Sequence, residues 1–246
     1  MKKRHLVFIA IFSSINPFLL KGSMAQSSID NTRANQAMSQ AAATGVGPGG
    51  ILYEFSSSDK TTKELGDTYY DIYWSKSSLI LLDNKVIEGY LGRYDIKGNE
   101  FEFKFQNGIR VIGGDRIKKF VWVDSLSRQT KQLVNTKDYL FNGVPFYGVA
   151  ELLVDGETVL FKKITIDEIP PTFNSALNVG SQDYTLAKKV QYFFTIDNNL
   201  YELKKRSALK VLQTIKPDVE NFCRKESITW RKENDLVRLF NYLNSN

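Results

Sequence analysis

The chain has 246 residues, of which 42% are hydrophobic and 24% charged, with a formal net charge of +6, one histidine and one cysteine. A lone thiol can form neither an internal disulfide nor a CxxC redox pair. The lone imidazole, His5, sits at the extreme N-terminus. A chain without it has no histidine-activated serine or cysteine nucleophile and no histidine zinc site.

Lys2, Lys3 and Arg4 are followed by an apolar run from Leu6 to Leu20, and Ser23-Met24-Ala25 then supplies small residues at peptidase positions. The run is shorter than the ~20 residues that cross a bilayer, and Pro17 interrupts it. This pattern predicts a signal peptide over 1–25, cut between Ala25 and Gln26, and a periplasmic or extracellular product free to associate with the outer membrane. Cleavage would remove His5 and four of the 33 bases, so 29 bases would face 27 acids and the charge would fall to +2.

Residues 26–50 carry few large apolar side chains and end in Gly-Pro-Gly-Gly, the composition of a flexible leader. Gly45-Val46-Gly47-Pro48-Gly49-Gly50 has no Lys-Ser/Thr and no preceding strand, so it reads as a linker and not a phosphate loop.

Strand signals fill 51–203. Glu100–Gln106 alternates without a fault, with Phe101, Phe103 and Phe105 on one face. Its expected neighbours are 78–82, 86–94, 109–112, 119–124, 131–135, 147–154, 158–166 and 191–196. Short connections rich in Asn, Asp and Gly separate most of them, as in hairpins. No helix of ten residues fits between, which makes a parallel sheet improbable. The expectation is a mainly β fold: an antiparallel meander of about 9–10 strands, barrel-like or sandwich, that hides its edges. An outer-membrane barrel is disfavoured by strands shorter than ~9–11 residues and by the helical C-terminus.

The acids at Asp83, Asp95, Asp155 and Asp197 fall at the breaks between strands. A calcium loop would need alternating acids around a glycine and a closing glutamate, so these read as turn residues and no metal or other cofactor is expected. Gly113-Gly114 reads as a strand break. The polar loop from Ile169-Pro170-Pro171 to about Ala187, with Asn142-Gly143-Val144-Pro145, is where a functional surface is expected.

Beyond Leu203 the period becomes helical. A helix is expected over Ser207–Leu212, another after Lys216-Pro217-Asp218 with Val219, Phe222 and a core Cys223, and a third from Lys232 with Leu236, Leu239, Phe240 and Leu243 inward. These make 204–246 a helical segment packed on the β domain. It holds ten bases against five acids, whereas 26–203 holds 19 against 22.

Gly92-Arg93-Tyr94-Asp95-Ile96 within the meander resembles families of small secreted or envelope proteins of Bacteroidetes-type bacteria. The tail segments Lys204–Leu212 and Glu233–Leu239 share that likeness, which covers roughly 90–246. The resemblance implies an envelope or secreted protein and carries no known activity, cofactor or catalytic residue.

Three functional readings remain. The first is a non-enzymatic cell-envelope protein that binds a protein or glycan, or serves as structure. The second is a carbohydrate-active enzyme using two carboxylates, with Glu88 and Glu151 as candidates near Tyr90 and Tyr147; the plainer reading makes both solvent-facing strand residues. The third is polyanion or peripheral membrane-surface binding through Lys204, Lys205, Arg206 and Lys210. Nucleic acid is a poor partner for an exported chain near neutrality.

Overall fold

The structure, a computed structural model, describes residues 53–54, 64–106, 108–174 and 176–245. The expected signal peptide, its Ala25–Gln26 cut, the leader and the Gly45–Gly50 run lie outside them.

The described residues are mainly β, with three short C-terminal helices, as the sequence pattern leads one to expect. The strands are β1 (Tyr53–Glu54), β2 (Glu64–Leu65), β3 (Ser75–Leu81), β4 (Val86–Asp95), β5 (Glu100–Phe105), β6 (Gly108–Gly113) and β7 (Ile117–Val123). They continue as β8 (Thr130–Asn135), β9 (Leu140–Phe141), β10 (Val144–Pro145), β11 (Val149–Val154), β12 (Leu160–Ile169), β13 (Tyr184–Ile196) and β14 (Asn199–Glu202). One open path joins them in the order β1-β6-β5-β4-β3-β7-β8-β11-β12-β13-β14-β9-β10, with β2 on β13. Pairing is antiparallel except for two-residue parallel contacts of β2 with β13 and β9 with β14.

Two short connections force this sheet to curl. Laid flat, β6 and β7 would stand four interstrand steps apart, ~19 Å. The four Cα steps from Gly113 to Ile117, through the 3-10 turn Gly114–Arg116, reach at most ~14 Å. The first half therefore wraps around Leu79, Phe101, Phe103, Ile112, Phe120, Trp122 and Leu133, all nearly inaccessible. A Cβ at Gly114 would meet the Asn99 side chain, which would have to shift to admit it. In the second half, five Cα steps from Asn135 to Leu140 join strands five places apart, ~18 Å of reach against ~24 Å. That half curls over Ala150, Phe161, Phe193 and Leu200, roofed by Tyr139, Phe141 and Phe146.

The two curls use opposite faces of one sheet. Leu133, in the first core, lies opposite Glu151, whereas its neighbour Val134 lies opposite Ala150 of the second. The first-core face continues outward across the second half. There α1 (Lys205–Ile215), α2 (Val219–Lys225) and α3 (Glu233–Leu243) cover Val154, Leu160 and Phe194 with Ala208, Leu212, Val219, Leu236, Leu239 and Phe240. Strands covered on both faces lose alternation, as Leu160-Phe161 and Phe193-Phe194 show.

Expected turns are confirmed in their chemistry. Asp83 Oδ1 accepts from the Lys85 amide at 3.1 Å, and Asp95 Oδ1 from those of Lys97 and Gly98 at 3.0 and 3.3 Å. Asp197 and Asn198 both hold positive φ between β13 and β14. Gly156 turns β11 into β12, and its hairpin is pinned by Asn244, whose amide exchanges bonds of 2.9 and 3.0 Å with the Thr158 backbone.

Several boundaries differ from expectation. β13 begins at Tyr184, inside the stretch expected to be loop, and pairs with β12 residue by residue as far as Ile169. Beyond the helices this ribbon continues as an arm that β2 joins at Tyr184 and Thr185; apart from Leu186 its residues are exposed or half-buried, so little burial imposes alternation on its sequence. β9, β10 and β14 are too short for any period to register. Cys223 is half-buried at the rim of the helical core, not in its centre.

Candidate functional site

Glu151, read as solvent-facing, is 3% exposed. It occupies a row in register across the sheet: Leu133 on β8, Glu151 on β11, Lys162 on β12, Tyr192 on β13. The row runs where the first core gives way to the helix-covered core, so it is desolvated from both sides. Lys162 Nζ lies 3.3 Å from Glu151 Oε2 and 2.9 Å from Glu233 Oε2 at the start of α3. Tyr192 donates to Glu233 Oε2 at 3.2 Å. Tyr70, from the segment that crosses the first curl, donates a short hydrogen bond to Glu151. Lys131 stands 3.9 Å from Glu151 and 3.0 Å from Asp124.

The electrostatics of this seam follow from its burial. Burial pushes the Tyr70 phenol far above its ordinary value, and the neighbouring Glu151 carboxylate adds to it. Tyr192 is raised to about 12 by burial and then by Glu233, against the opposing pull of Lys162. Burial alone would lower Lys162, but Glu151 and Glu233 outweigh it and the ammonium is held above its usual range. Asp124 is depressed mainly by hydrogen bonding from the Ser127 backbone and by Lys131. Every charge in the seam has a partner.

Glu102, 2% exposed, is held similarly: Arg93 Nε donates to it at 2.7 Å and Tyr69 at 3.2 Å, while the guanidinium stacks between Tyr69 and Trp74 at 3.6 and 4.3 Å. Glu88 is exposed on β4, four ladder steps from Glu151. The structure does not bring the two candidate carboxylates together.

A different feature opens one residue further along β12. β11 pairs with β12 only from Glu151 to Val154. Toward the other end the two strands splay apart, and between them lies a cleft of about 470 Å³. Its walls are Tyr147, Gly148 and Val149 on one side, Lys163 to Ile166 on the other, and the Tyr94–Asn99 turn across the end, tied by a 2.9 Å Lys97–Glu168 ion pair. From Lys163 to Ile169, β12 is bonded to β13 and to no other described strand, so its cleft-side edge is free among the described residues. Lys163 points the other way from Lys162: its ammonium donates to the Tyr147 carbonyl at 2.8 Å and sits 3.8 Å from the Phe146 ring, and burial lowers its pKa.

Of the surface expected to be functional, the 169–187 stretch forms the outer part of the arm, whereas none of Asn142–Pro145 lines this cleft. Tyr147 is 72% exposed, and the arm tip presents Phe173, Leu177 and Val179, the last two more than half exposed. Such clustered apolar exposure is what the loop's polar composition concealed.

Lys204, Lys205, Arg206 and Lys210 are exposed, as expected of a basic surface. The first turn of α1 holds no acid and no side-chain cap, so Lys204, Lys205 and Arg206 crowd the positive end of the helix dipole, while Lys210 lies mid-helix. Lys204 is bound to Glu202 at 2.6 Å.

Among the described residues no cluster of three His, Cys, Asp or Glu could hold a metal, and no helix is long and apolar enough to cross a membrane. Comparisons with protein-family models, curated proteins and solved structures found no match to this chain.

Proposed function

We propose that this chain is an exported binding scaffold of the cell envelope that takes up an extended polypeptide segment along the free edge of β12. The observation that carries the reading is the splay of β11 from β12. Proteins ordinarily cover, charge or shorten sheet edges, because unpaired N–H and C=O groups invite another strand. Here a seven-residue edge is left beside a cleft whose volume lies in the range of real binding pockets, with Ile96, Ile164 and Ile166 for apolar side chains. The exposed apolar tip of the same ribbon would extend the contact. A hydrolytic role for Glu88 and Glu151 is less well supported, since they stand apart and Glu151 is already engaged by Tyr70, Lys162 and Lys131. Export and the likeness to secreted Bacteroidetes-type families belong to the proposal too.

The test is selection of extended peptides from a displayed library by the mature chain, followed by Ile166→Arg and Tyr147→Ala. Both variants should keep the thermal midpoint within a few degrees and weaken the selected peptide at least tenfold. Retention of full affinity by both would refute the reading.

The basic face of α1 favours a second reading, adhesion to a polyanion or anionic lipid surface through Lys204, Lys205, Arg206 and Lys210, the first three of which oppose the helix dipole. Binding to anionic vesicles should then fall steeply with salt.

A further inference from the structure

A second cavity, of about 250 Å³, opens between the β13–β14 hairpin, the β9–β10 turn and the start of α1. We infer that it is a subsite for one pyranose ring of a neutral glycan. Its residues divide into a stacking surface and a hydrogen-bonding rim.

The surface is Tyr201 with Phe141. Tyr201 is 37% exposed and is braced from behind by the fully buried Phe194, ring centroids 5.4 Å apart and planes within 24°. A ring fixed on one side and open on the other is a platform for C–H bonds, whose positive ends meet the negative aromatic face. The rim is Asn142, Glu202, Lys204 and Ser207.

The rim chemistry selects the ligand class. Lys204 and Glu202 are already joined at 2.6 Å, so the cavity carries no uncompensated cation for a phosphate or carboxylate. The same pair suits a diol: the carboxylate accepts from one hydroxyl while the ammonium donates to its neighbour. Asn142, held at φ 52 at the β9–β10 turn, adds an amide that both donates and accepts. The bases Lys205, Arg206 and Lys210 of α1 do not line the cavity. The volume lies just below that of drug-sized pockets, which suits one ring and not an oligosaccharide held whole.

Saturation-transfer NMR with the mature chain and a panel of neutral pyranosides tests this: the methyl glycosides of glucose, mannose and galactose, and N-acetylglucosamine. Transfer to ring C–H protons of at least one sugar is expected, unchanged between 50 and 500 mM NaCl. Tyr201→Ala and Glu202→Gln should each weaken it at least fivefold, Tyr201→Phe should preserve it, and Lys210→Ala should leave it unaltered. Asn142→Ala, at an exposed turn, serves if Tyr201→Ala does not fold. No transfer from any sugar would overturn the inference. So would transfer insensitive to these rim and platform changes, or binding that inorganic phosphate displaces and salt abolishes.

Discussion

Lys162 and Lys163 are neighbours on β12, yet they belong to regions of opposite design. Lys162 faces the seam, where three carboxylates and two tyrosines satisfy one another and the ammonium is held firmly charged. Lys163 faces the mouth of the cleft, where a backbone carbonyl and an aromatic ring hold it and desolvation lowers its pKa. The seam joins two cores through buried polar groups that are all paired, and such groups fix one arrangement of the elements around them. The cleft exists because the ladder stops one residue away. A strand can thus be a structural beam on one face and an unfinished edge at its end.

Removing the lysine of the seam should have the largest effect. Lys162→Met leaves Glu151 and Glu233 without their shared cation, and urea unfolding should show a loss of about 3 kcal/mol, the lower end for breaking a buried pair. Tyr70→Phe deprives Glu151 of a donor, at a cost of about 2 kcal/mol by the same measurement. The seam also contributes to the alkaline limit, together with the raised phenols of Tyr69, Tyr94 and Tyr242. Tyr192 titrates near 12 in the fold against 10.0 for the free side chain, and Tyr70 is displaced in the same direction. Between pH 10 and 12 the unfolded chain therefore binds fewer protons than the folded one, and the urea midpoint should fall across that window. The wild type should lose more there than Tyr70→Phe. Asp124 acts at the other end: its depressed pKa adds stability above its ordinary value of 3.8 that is lost as pH falls below it.

The cleft side should respond weakly in stability. Lys163→Met should cost under about 1 kcal/mol, since a lysine with no carboxylate partner is exchanged for a side chain of similar length. Leu177→Ser at the arm tip should change the unfolding free energy by no more than about 0.5 kcal/mol. A large loss from either would mean that cleft and arm are structural, and the contrast with the seam would collapse.

Much of the first half was legible in the chain. The faultless alternation of Glu100–Gln106 and the turn chemistry of Asp83, Asp95 and Asp155 reflect local physics, and local physics is what a sequence displays. The helices were legible for the same reason: Leu236, Leu239, Phe240 and Leu243 repeat at the helical period. Glu151 was not. Its strand reads Val149-Ala150-Glu151-Leu152, and its burial depends on Tyr70, 81 residues away, and on Glu233 from α3. The arm was hidden too, because Tyr184–Val190 is mostly exposed and carries no pattern of burial. The cleft arises from a pairing that ends, and no residue signals that.

Residue-resolved amide hydrogen exchange of β12 tests the binding edge most directly. Along Lys163–Ile169 the amides bonded to β13 should be protected and the alternating cleft-facing amides should exchange rapidly, then become protected when a selected peptide is added. Uniform protection of that segment in the free chain, or peptide-induced protection that falls elsewhere, would contradict the account.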